Sequence, residues 1–251
     1  MRIDWDSFTN HTETIAEVRL LGIVDFPSML ALQKLVMHDV RIQGRINAAV
    51  MICEHPPSVS IPVGASLLQL PTDPRELESR LLQVHKVRRD GPAILHQPGQ
   101  LAVYVIVSLP ECGLSVDDIR RKLAAAVIHA CEDQQVVARV DPQDPSCVRG
   151  RHGIIAEIAL QVADGITGFG IVLNVSCSLE DAAIVGRGLN GARISSLNAE
   201  RVRPTLMPQL RSALIEKLTE ELGYPEYHIH TGHPFLKRLR NIQKSSSVPH
   251  E

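Results

Sequence analysis

The stretch VRRDGPAILHQPGQLAVYVIVSLP, residues 87–110, joins a loop rich in glycine and proline to a continuous apolar run. Within the run, residues 101–107, polar and apolar side chains do not alternate as they do in a strand with one exposed face. A strand that is apolar at successive positions is covered on both of its faces. The run therefore predicts a strand near the centre of a sheet, and residues 87–100 form the loop that leads into it.

Four other segments have the β-branched and apolar composition of strands: residues 17–26, 47–55, 153–163 and 165–175. Asp164 and Gly165 lie at the junction of the last two, and this dipeptide is typical of the turn of a β-hairpin. Strands that occur in hairpins, with helices between them, predict a mixed α/β, α+β-like fold rather than a doubly wound one. In that fold a mixed sheet is flanked by helices.

The predicted helices follow Asp25, span residues 73–84, follow Ser115 and span residues 208–222. Gly223 is expected to end the last of them. Ser115, with Asp118 three residues later, has the pattern of a capping box, and apolar residues at helical spacing continue to about Gln134. The helix after Asp25 is expected to place three apolar residues on one face: Leu32, Leu35 and Val36.

The composition of the 251 residues limits the classes of partner. The formal net charge of −2 gives no overall attraction to nucleic acid or to an anionic membrane surface, so neither is expected as a partner. Five cysteines at irregular spacing, without an apolar leader segment, indicate the reducing cytoplasm. We expect one domain over residues 13–240, with flexible ends at residues 1–12 and 241–251.

The segment AAIVGRGLNGARISSL, residues 182–197, contains the spacing G-x-G-x-x-G in Gly186, Gly188 and Gly191. A dinucleotide loop opens a helix, and no amphipathic helix follows here until about residue 208. The pattern therefore predicts no cofactor. No metal site is predicted either, because the histidines of YHIHTGH, residues 227–233, have no cysteine or carboxylate in the same pattern.

Several blocks of the chain resemble lipoate-protein ligase B, the octanoyltransferase family. Residues 87–110 resemble its signature R-G-G-x-x-T-Y-H-G-P-G-Q-L-x-x-Y-P-I, and four more blocks occur in the family's order: residues 21–33, 54–65, 165–175 and 194–197. The resemblance runs from about residue 17 to residue 222. It implies a biotin/lipoate-protein ligase-like fold, in which a mixed sheet flanked by helices encloses an acyl channel.

The resemblance also implies a reaction and its partners. The family transfers an octanoyl group from acyl carrier protein to a lysine of a lipoyl domain, in 2-oxoacid dehydrogenases or the glycine cleavage H protein. By alignment, the substrate-binding positions are Arg89, Asp90, Gly91, Pro92, Ala93, Ile94, Leu95, His96, Glu157, Ile158, Ala159, Gly170, Ile171 and Val172.

The two catalytic positions of the family are not matched. The family uses a cysteine thioester, and a neighbouring lysine lowers the pKa of that cysteine. Arg187 aligns with the cysteine and Ile154 with the lysine, unless a gap of one or two residues brings His152 or Arg151 to the lysine's place. An arginine cannot carry a thioester, so the family's usual mechanism is not available to this chain.

Cys147 is the candidate replacement nucleophile, because a related octanoyltransferase branch has its cysteine in the corresponding loop. Arg149, Arg151 and His152 follow it, and we expect their positive charge to favour the thiolate. The alternative is an inert cysteine. Cys177 is a second and weaker candidate, whereas Cys53 and Cys131 have the apolar surroundings of core residues.

Three functions remain open on the sequence. The first is an octanoyltransferase with a relocated nucleophile. The second is a non-catalytic paralogue that binds acyl groups or the carrier or lipoyl-domain partner. The third is an ATP-dependent ligase, which is disfavoured because the lysine that handles the adenylate is missing. We also hypothesise that Arg187 binds a carrier phosphate or a fatty-acid carboxylate.

Overall fold

The computed structural model describes residues 15–42, 48–65, 70, 72–185, 193–201 and 203–237. The strands are β1 (Ala16–Ile23), β2 (Ala48–Glu54), β3 (Ser58–Pro62), β4 (Gln83–Val87), β5 (Ile94–His96), β6 (Gln100–Val107), β7 (Arg139–Val140), β8 (Cys147–Arg149), β9 (Ile154–Ala163), β10 (Ile166–Asn174) and β11 (Tyr227–Thr231). The helices are α1 (Phe26–Arg41), α2 (Pro74–Ser79), α3 (Leu109–Cys112), α4 (Val116–Asp133), α5 (Leu179–Val185), α6 (Leu197–Glu200) and α7 (Met207–Leu222).

The main sheet has eight strands in the order β11-β1-β2-β6-β10-β9-β8-β7. β1 runs parallel to both of its neighbours, and the other pairs are antiparallel. All eight residues of β6 are buried, which confirms the central strand predicted from its apolar run. The sheet is therefore mixed, as predicted.

Helices cover both faces of the main sheet. α4 and α7 contribute Ile119, Leu123 and Leu214 to a core on one face, and α1 contributes Met29 and Leu32 to a core on the other. Burial of such side chains on each face explains why the central strands carry few polar residues. Among the described residues, no helix combines the length and the hydropathy needed to cross a bilayer.

Local signals in the sequence begin and end elements where predicted. Ser115 and Asp118 form a complete capping box at the start of α4. Asp164 and Gly165 join β9 to β10 with φ angles of 51° and 76°, as a tight hairpin turn requires. Gly223 ends α7 in the left-handed conformation.

Two predictions of the coarse elements were wrong. Leu35 is 38% exposed, while Leu32 and Val36 are buried, so the apolar face of α1 is narrower than predicted. The helix predicted over residues 73–84 ends at Ser79, and Gln83 begins β4. Parallel pairing of β4 with β3 supplies hydrogen bonds that local helix propensity does not anticipate.

A second sheet of three strands, β4-β3-β5, brings the loop of residues 88–93 against the main sheet. Asp90 fixes this loop, because its backbone N–H donates to the carbonyl of Leu160 (2.9 Å) and its Oδ1 accepts from the N–H of Leu160 (2.6 Å). Arg120 on α4 donates to the other oxygen of Asp90 (2.6 Å). These bonds position Arg89 beside β9 and β10.

Candidate functional site

Two adjoining cavities lie where β5 meets strands β9 and β10. The first, which we call the apolar cavity, is lined by Arg89, Ile94, His96, Ala102, Val103, Tyr104, Ala159, Phe169, Gly170, Ile171 and Val172. The second, which we call the polar cavity, is lined by Ala93, Ile94, Leu95, Gln100, Glu157, Val172, Asn174, Ala182 and Ile194. Ile94 and Val172 line both.

The structure brings ten of the fourteen aligned substrate-binding positions to the walls of these two cavities. The other four have different surroundings. Asp90, Gly91 and Pro92 form the loop that carries Arg89, whereas Ile158 lies in the core that β9 shares with α4. That these positions bind substrate remains a prediction.

Glycine is required at one point of the apolar cavity. A Cβ atom on Gly170 would lie 2.4 Å from the carbonyl oxygen of Val103, closer than side-chain atoms approach a backbone oxygen. The strand beside it therefore packs directly on the backbone of Gly170, and no side chain from this position enters the cavity.

Arg89 places a positive charge in the wall of the apolar cavity. Its guanidinium is buried and donates to the carbonyls of Asp90 (2.7 Å), Pro92 (2.8 Å) and Ser60 (3.1 Å) and to the Ser60 hydroxyl (2.9 Å). Burial lowers its pKa to about 10, and the negative charge of Glu157 opposes that shift. Arg89 therefore stays protonated at neutral pH, with carbonyl and hydroxyl partners rather than a paired carboxylate.

His96 lies at the polar end of the apolar cavity. Its Nε2 is 2.8 Å from the Ser60 hydroxyl, its ring packs 4.6 Å from Phe26, and its Nδ1 is buried without a hydrogen-bond partner. Burial holds the pKa of His96 well below its usual value, and nearby His55, Arg89 and His85 lower it further. The ring is neutral, so one of its nitrogens is available to a ligand.

His55 supports this wall from behind. Its Nδ1 donates to the carbonyl of Val24 (2.7 Å), and its Nε2 therefore accepts from the Tyr104 hydroxyl (2.9 Å). Burial lowers the pKa of His55 to about 4, although the bond to Val24 opposes the shift. We call His55, His85 and His96, which surround Phe26, the imidazole cluster.

Glu157 is the ionisable group of the polar cavity. Its half-buried carboxyl makes no hydrogen bond to a residue within the described ranges. Burial raises its pKa to about 7, the charge of Arg89 opposes that shift, and Asp144 adds to it. Beside it, Asn174 accepts a hydrogen bond from Gln100 (2.8 Å), so both amides are oriented.

Cys147 lies next to Glu157, because the two residues pair across β8 and β9. The thiol is 2% exposed and donates to a carboxylate oxygen of Asp144 (3.6 Å). Burial, followed by the charges of Glu157 and Asp144, raises the pKa of this thiol. The thiol is therefore protonated at neutral pH in the structure as it stands.

The three cations that were expected to stabilise a Cys147 thiolate do not lower its pKa, so this expectation was wrong. Arg149 pairs with Asp141 (3.2 Å). Arg151 and His152 are exposed, and their backbone N–H groups donate to the carboxylate of Glu200 (2.8 and 3.0 Å). The charges near the thiol are negative rather than positive because β8 pairs it with β9.

Ile154, which aligns with the family's lysine, is fully buried at the start of β9. Its backbone exchanges hydrogen bonds with Arg193 and Ser195, both of 2.7 Å. Arg187 lies outside the described residues, together with Gly186, Gly188 and Gly191.

Three other cysteines and two histidines that the sequence analysis considered lie outside the two cavities. Cys53 and Cys131 are buried in the core, as predicted. Burial raises the pKa of Cys177 to about 11, and its thiol donates to Asn174 (3.6 Å). His228 and His230 are exposed on β11, and the described residues include no group of three potential metal ligands.

Phe169 is a site residue that sequence reasoning missed. Its φ of 58° is uncommon for a bulky residue, and its N–H donates to the side chain of Gln33 on α1 (2.8 Å). The unusual backbone aims a ring into the wall of the apolar cavity. The signal in the sequence is the G-F-G pattern of residues 168–170, where two glycines flank a single large side chain.

Comparison with known proteins accounts for most of the chain. Residues 25–219 match the family model of the lipoyl protein ligase A/B catalytic domain. An octanoyltransferase of Mycobacterium leprae is 32% identical over 225 residues, covering 83% of this chain and 88% of that protein. An octanoyltransferase of Roseiflexus is 28% identical over 201 residues, covering 79% of this chain and 83% of that protein.

Solved structures show the same fold. A lipoate-protein ligase A with bound ATP has a TM-score of 0.72 at 17% identity, covering 91% of this chain and 94% of that one. A bipartite lipoate protein ligase from Thermoplasma acidophilum has a TM-score of 0.71 at 16% identity, covering 92% of each chain. The predicted fold is thereby confirmed, and the chain belongs to the lipoyl protein ligase A/B catalytic domain family, among relatives named octanoyltransferase.

Proposed function

We propose that this protein transfers an octanoyl group from acyl carrier protein to a lysine of a lipoyl domain. The observation that carries the proposal is the pair of adjoining cavities, because an apolar wall and a set of ionisable groups are what acyl transfer needs side by side. Both relatives are named octanoyltransferase, which supports octanoyl as the acyl group.

In this proposal the octanoyl chain occupies the apolar cavity, where Ile94, Ala159, Ile171 and Val172 would contact it with apolar side chains. Burying methylene groups there contributes about 0.8 kcal/mol each to binding. Arg89 lies at the polar end, where its charge stabilises the negative oxygen that develops on the thioester carbonyl.

Cys147 remains our proposed nucleophile. Its protonated thiol must lose a proton as sulfur attacks the thioester carbonyl, and the Asp144 carboxylate already accepts its hydrogen bond. The carbonyl carbon then forms a bond to Cys147, the bond to the carrier sulfur breaks, and the proton passes from Asp144 to the leaving carrier thiolate. General-base activation thus replaces the stabilised thiolate of the family.

Intact-protein mass spectrometry tests this proposal. The purified protein is mixed with octanoyl-acyl carrier protein, with and without a lipoyl domain. We expect an octanoyl adduct on the lipoyl-domain lysine, and in its absence a thioester on Cys147. Cys147→Ala removes the thioester, whereas the matched control Cys177→Ala keeps it.

Each contrary outcome has a distinct meaning. An adduct that survives Cys147→Ala and disappears in Cys177→Ala moves the nucleophile to Cys177. No octanoylation of the lipoyl domain contradicts the proposed function. Competition between lipoyl domains of 2-oxoacid dehydrogenases and the glycine cleavage H protein identifies the preferred acceptor.

We also propose the cytoplasm as the compartment. All five cysteines are free thiols, as is usual for a protein that folds under reducing conditions. Acyl carrier protein and lipoyl domains would meet the enzyme there.

A further inference from the structure

The carboxyl group of Glu157 has no structural role that its surroundings explain. It lines the polar cavity and makes no hydrogen bond to another described residue. Partial burial of a carboxyl without a protein hydrogen-bond donor costs free energy of folding. A hydrogen-bond donor on a bound ligand would offset that cost.

Two other partly or fully buried carboxylates among the described residues have protein partners. Asp141 is 5% exposed, pairs with Arg149 (3.2 Å) and accepts from the N–H of Gln143 (2.8 Å). Glu17 is half-buried on β1 and pairs with Arg19 (2.6 Å). These two carboxylates have hydrogen-bonded partners, whereas Glu157 accepts no hydrogen bond from any residue in the described ranges and has only the nearby charge of Arg89.

Strand register places Glu157 between the Cys147 thiol and the apolar cavity. Cys147 pairs with Glu157, Glu157 with Val172, and Val172 with Ala102, so four neighbouring strands carry these residues in one row. Residues opposite each other in a sheet project from the same face. The row runs from the Cys147 thiol, past the Glu157 carboxyl, to Ala102 in the wall of the apolar cavity.

Three charged or titratable groups face Glu157 from the elements around it. Cys147 lies on β8, Asp144 lies in the loop before β8, and Arg89 lies in the loop before β5. Their combined effect with burial is a carboxyl whose pKa is about 7. Such a group accepts and releases a proton at neutral pH with little cost in either direction.

We propose that Glu157 is a catalytic residue, the general base that takes a proton from the ε-amino group of the acceptor lysine as the octanoyl group is transferred to it. This role rests on the proposed function. It also explains how a chain with isoleucine in the place of the family's lysine retains a proton-transfer group, since Glu157 lies three residues further along the same strand.

The step balances with the groups already described. The acceptor enters as an ammonium paired with ionised Glu157, which takes one proton and leaves a neutral amine. The nitrogen forms a bond to the octanoyl carbonyl carbon, and the bond to Cys147 sulfur breaks with its electron pair on sulfur. The second proton of the nitrogen passes to that sulfur, and Glu157 releases its own proton to solvent.

The test separates the two half-reactions in Glu157→Gln. We expect Cys147 to be acylated by octanoyl-acyl carrier protein, while transfer to the lipoyl domain slows on the order of 100-fold and acyl-enzyme accumulates. Wild-type transfer should decline below about pH 7 as Glu157 is protonated, and this decline should vanish in Glu157→Gln. Glu157→Asp should recover part of the rate.

Glu17→Gln is the matched control, because it removes a half-buried strand carboxylate away from both cavities and should leave transfer unchanged. The inference is overturned if Glu157→Gln transfers the octanoyl group to the lipoyl domain at the wild-type rate, or if the substitution slows only the acylation of Cys147. It is also overturned if transfer by Glu157→Gln is slower but depends on pH as it does in the wild type. Absence of transfer by the wild-type protein overturns the proposed function, and this inference with it.

Discussion

The imidazole cluster adjoins the apolar cavity and Glu157 lines the polar cavity, and burial shifts the pKa values in these two regions in opposite directions. His55 and His96 are buried and His85 is half-buried, and burial lowers the pKa of each ring, which favours its neutral form. Glu157 lines the polar cavity, and burial there raises the pKa of its carboxyl to about 7. Burial disfavours the charged form in both places.

The difference between the two regions lies in what satisfies each polar group. Each ring nitrogen of His55 has a hydrogen-bond partner, and these two hydrogen bonds stabilise the neutral form of the ring in the folded protein. Glu157 has no such partner among the described residues, and its charge changes near neutral pH. One region is organised to stay apolar and the other to exchange protons, which matches an acyl chain and its reacting end.

The largest effect expected from this difference is a loss of stability in acid. The pKa of His55 is about 4 in the folded protein and 6.5 as a free side chain, so its contribution is complete above pH 6.5 and is lost as the pH falls toward 4. At ~1.4 kcal/mol per pKa unit, the loss is about 3 kcal/mol from His55 alone. Urea unfolding between pH 7 and pH 4 measures it.

His55→Gln is the variant that isolates this contribution. It cannot gain a proton on unfolding, so its free energy of unfolding should fall less steeply between pH 7 and pH 4 than that of the wild type. An equal slope in the two proteins would show that His55 titrates normally in the folded state.

The next largest effect is expected on the rate of octanoyl transfer in a matched pair of cavity-filling variants. Ala159→Leu narrows the apolar cavity and Ala182→Leu narrows the polar one with the same added side chain. If the three added carbons exclude three methylenes of the substrate, octanoyl transfer by Ala159→Leu falls about 50-fold, at about 0.8 kcal/mol per methylene. Kinetics with octanoyl and butanoyl carriers measure the effect.

The two variants should differ in their dependence on chain length. Ala159→Leu should spare butanoyl transfer, whereas Ala182→Leu should slow both substrates by the same factor. Thermal unfolding of each variant checks that it is folded. Equal losses on the two substrates in Ala159→Leu would place the acyl chain outside the apolar cavity.

The smallest effect is the stability gained by removing the Glu157 charge. Because its pKa is raised from 4.5 to about 7, its favourable contribution is complete below pH 4.5 and is lost as the pH rises through 7. Glu157→Gln should therefore raise the free energy of unfolding at pH 8 by about 1–2 kcal/mol, after allowance for partial exposure.

The same measurement at pH 4 supplies the control, since the carboxyl is then protonated and Gln is a neutral replacement. The gain should disappear there. A variant that is less stable than the wild type at pH 8 would show that the Glu157 carboxylate is satisfied in the folded protein.

Local patterns predicted the elements well where the cause was local. The Ser115 cap, the Asp164-Gly165 turn and the Gly223 helix end depend on a few neighbouring residues, and all three form as predicted. Residues 83–84 were predicted as helix and form strand, because their hydrogen-bond partners lie in β3, more than 20 positions away in the chain.

The site residues show the same distinction between features with a local cause and features that depend on distant parts of the chain. Motif alignment named Arg89, Ile94, Glu157 and Gly170 as binding positions, and the structure brings them to two cavities. Alignment does not reveal that Cys147 and Glu157 are cross-strand neighbours, or that the Arg149 side chain forms an ion pair with Asp141. The electrostatic expectation for Cys147 was wrong because sequence proximity does not fix which charges a side chain faces.

The sequence is sufficient to predict the central apolar strand, the mixed sheet and the family motifs, and it shows that the aligned positions hold neither a cysteine nor a lysine. The tertiary structure is needed to see that Glu157 lies between a thiol and the apolar cavity, and that burial raises the pKa of its carboxyl to about 7. The physical reason is that desolvation and charge act through space, across strands that are distant in sequence.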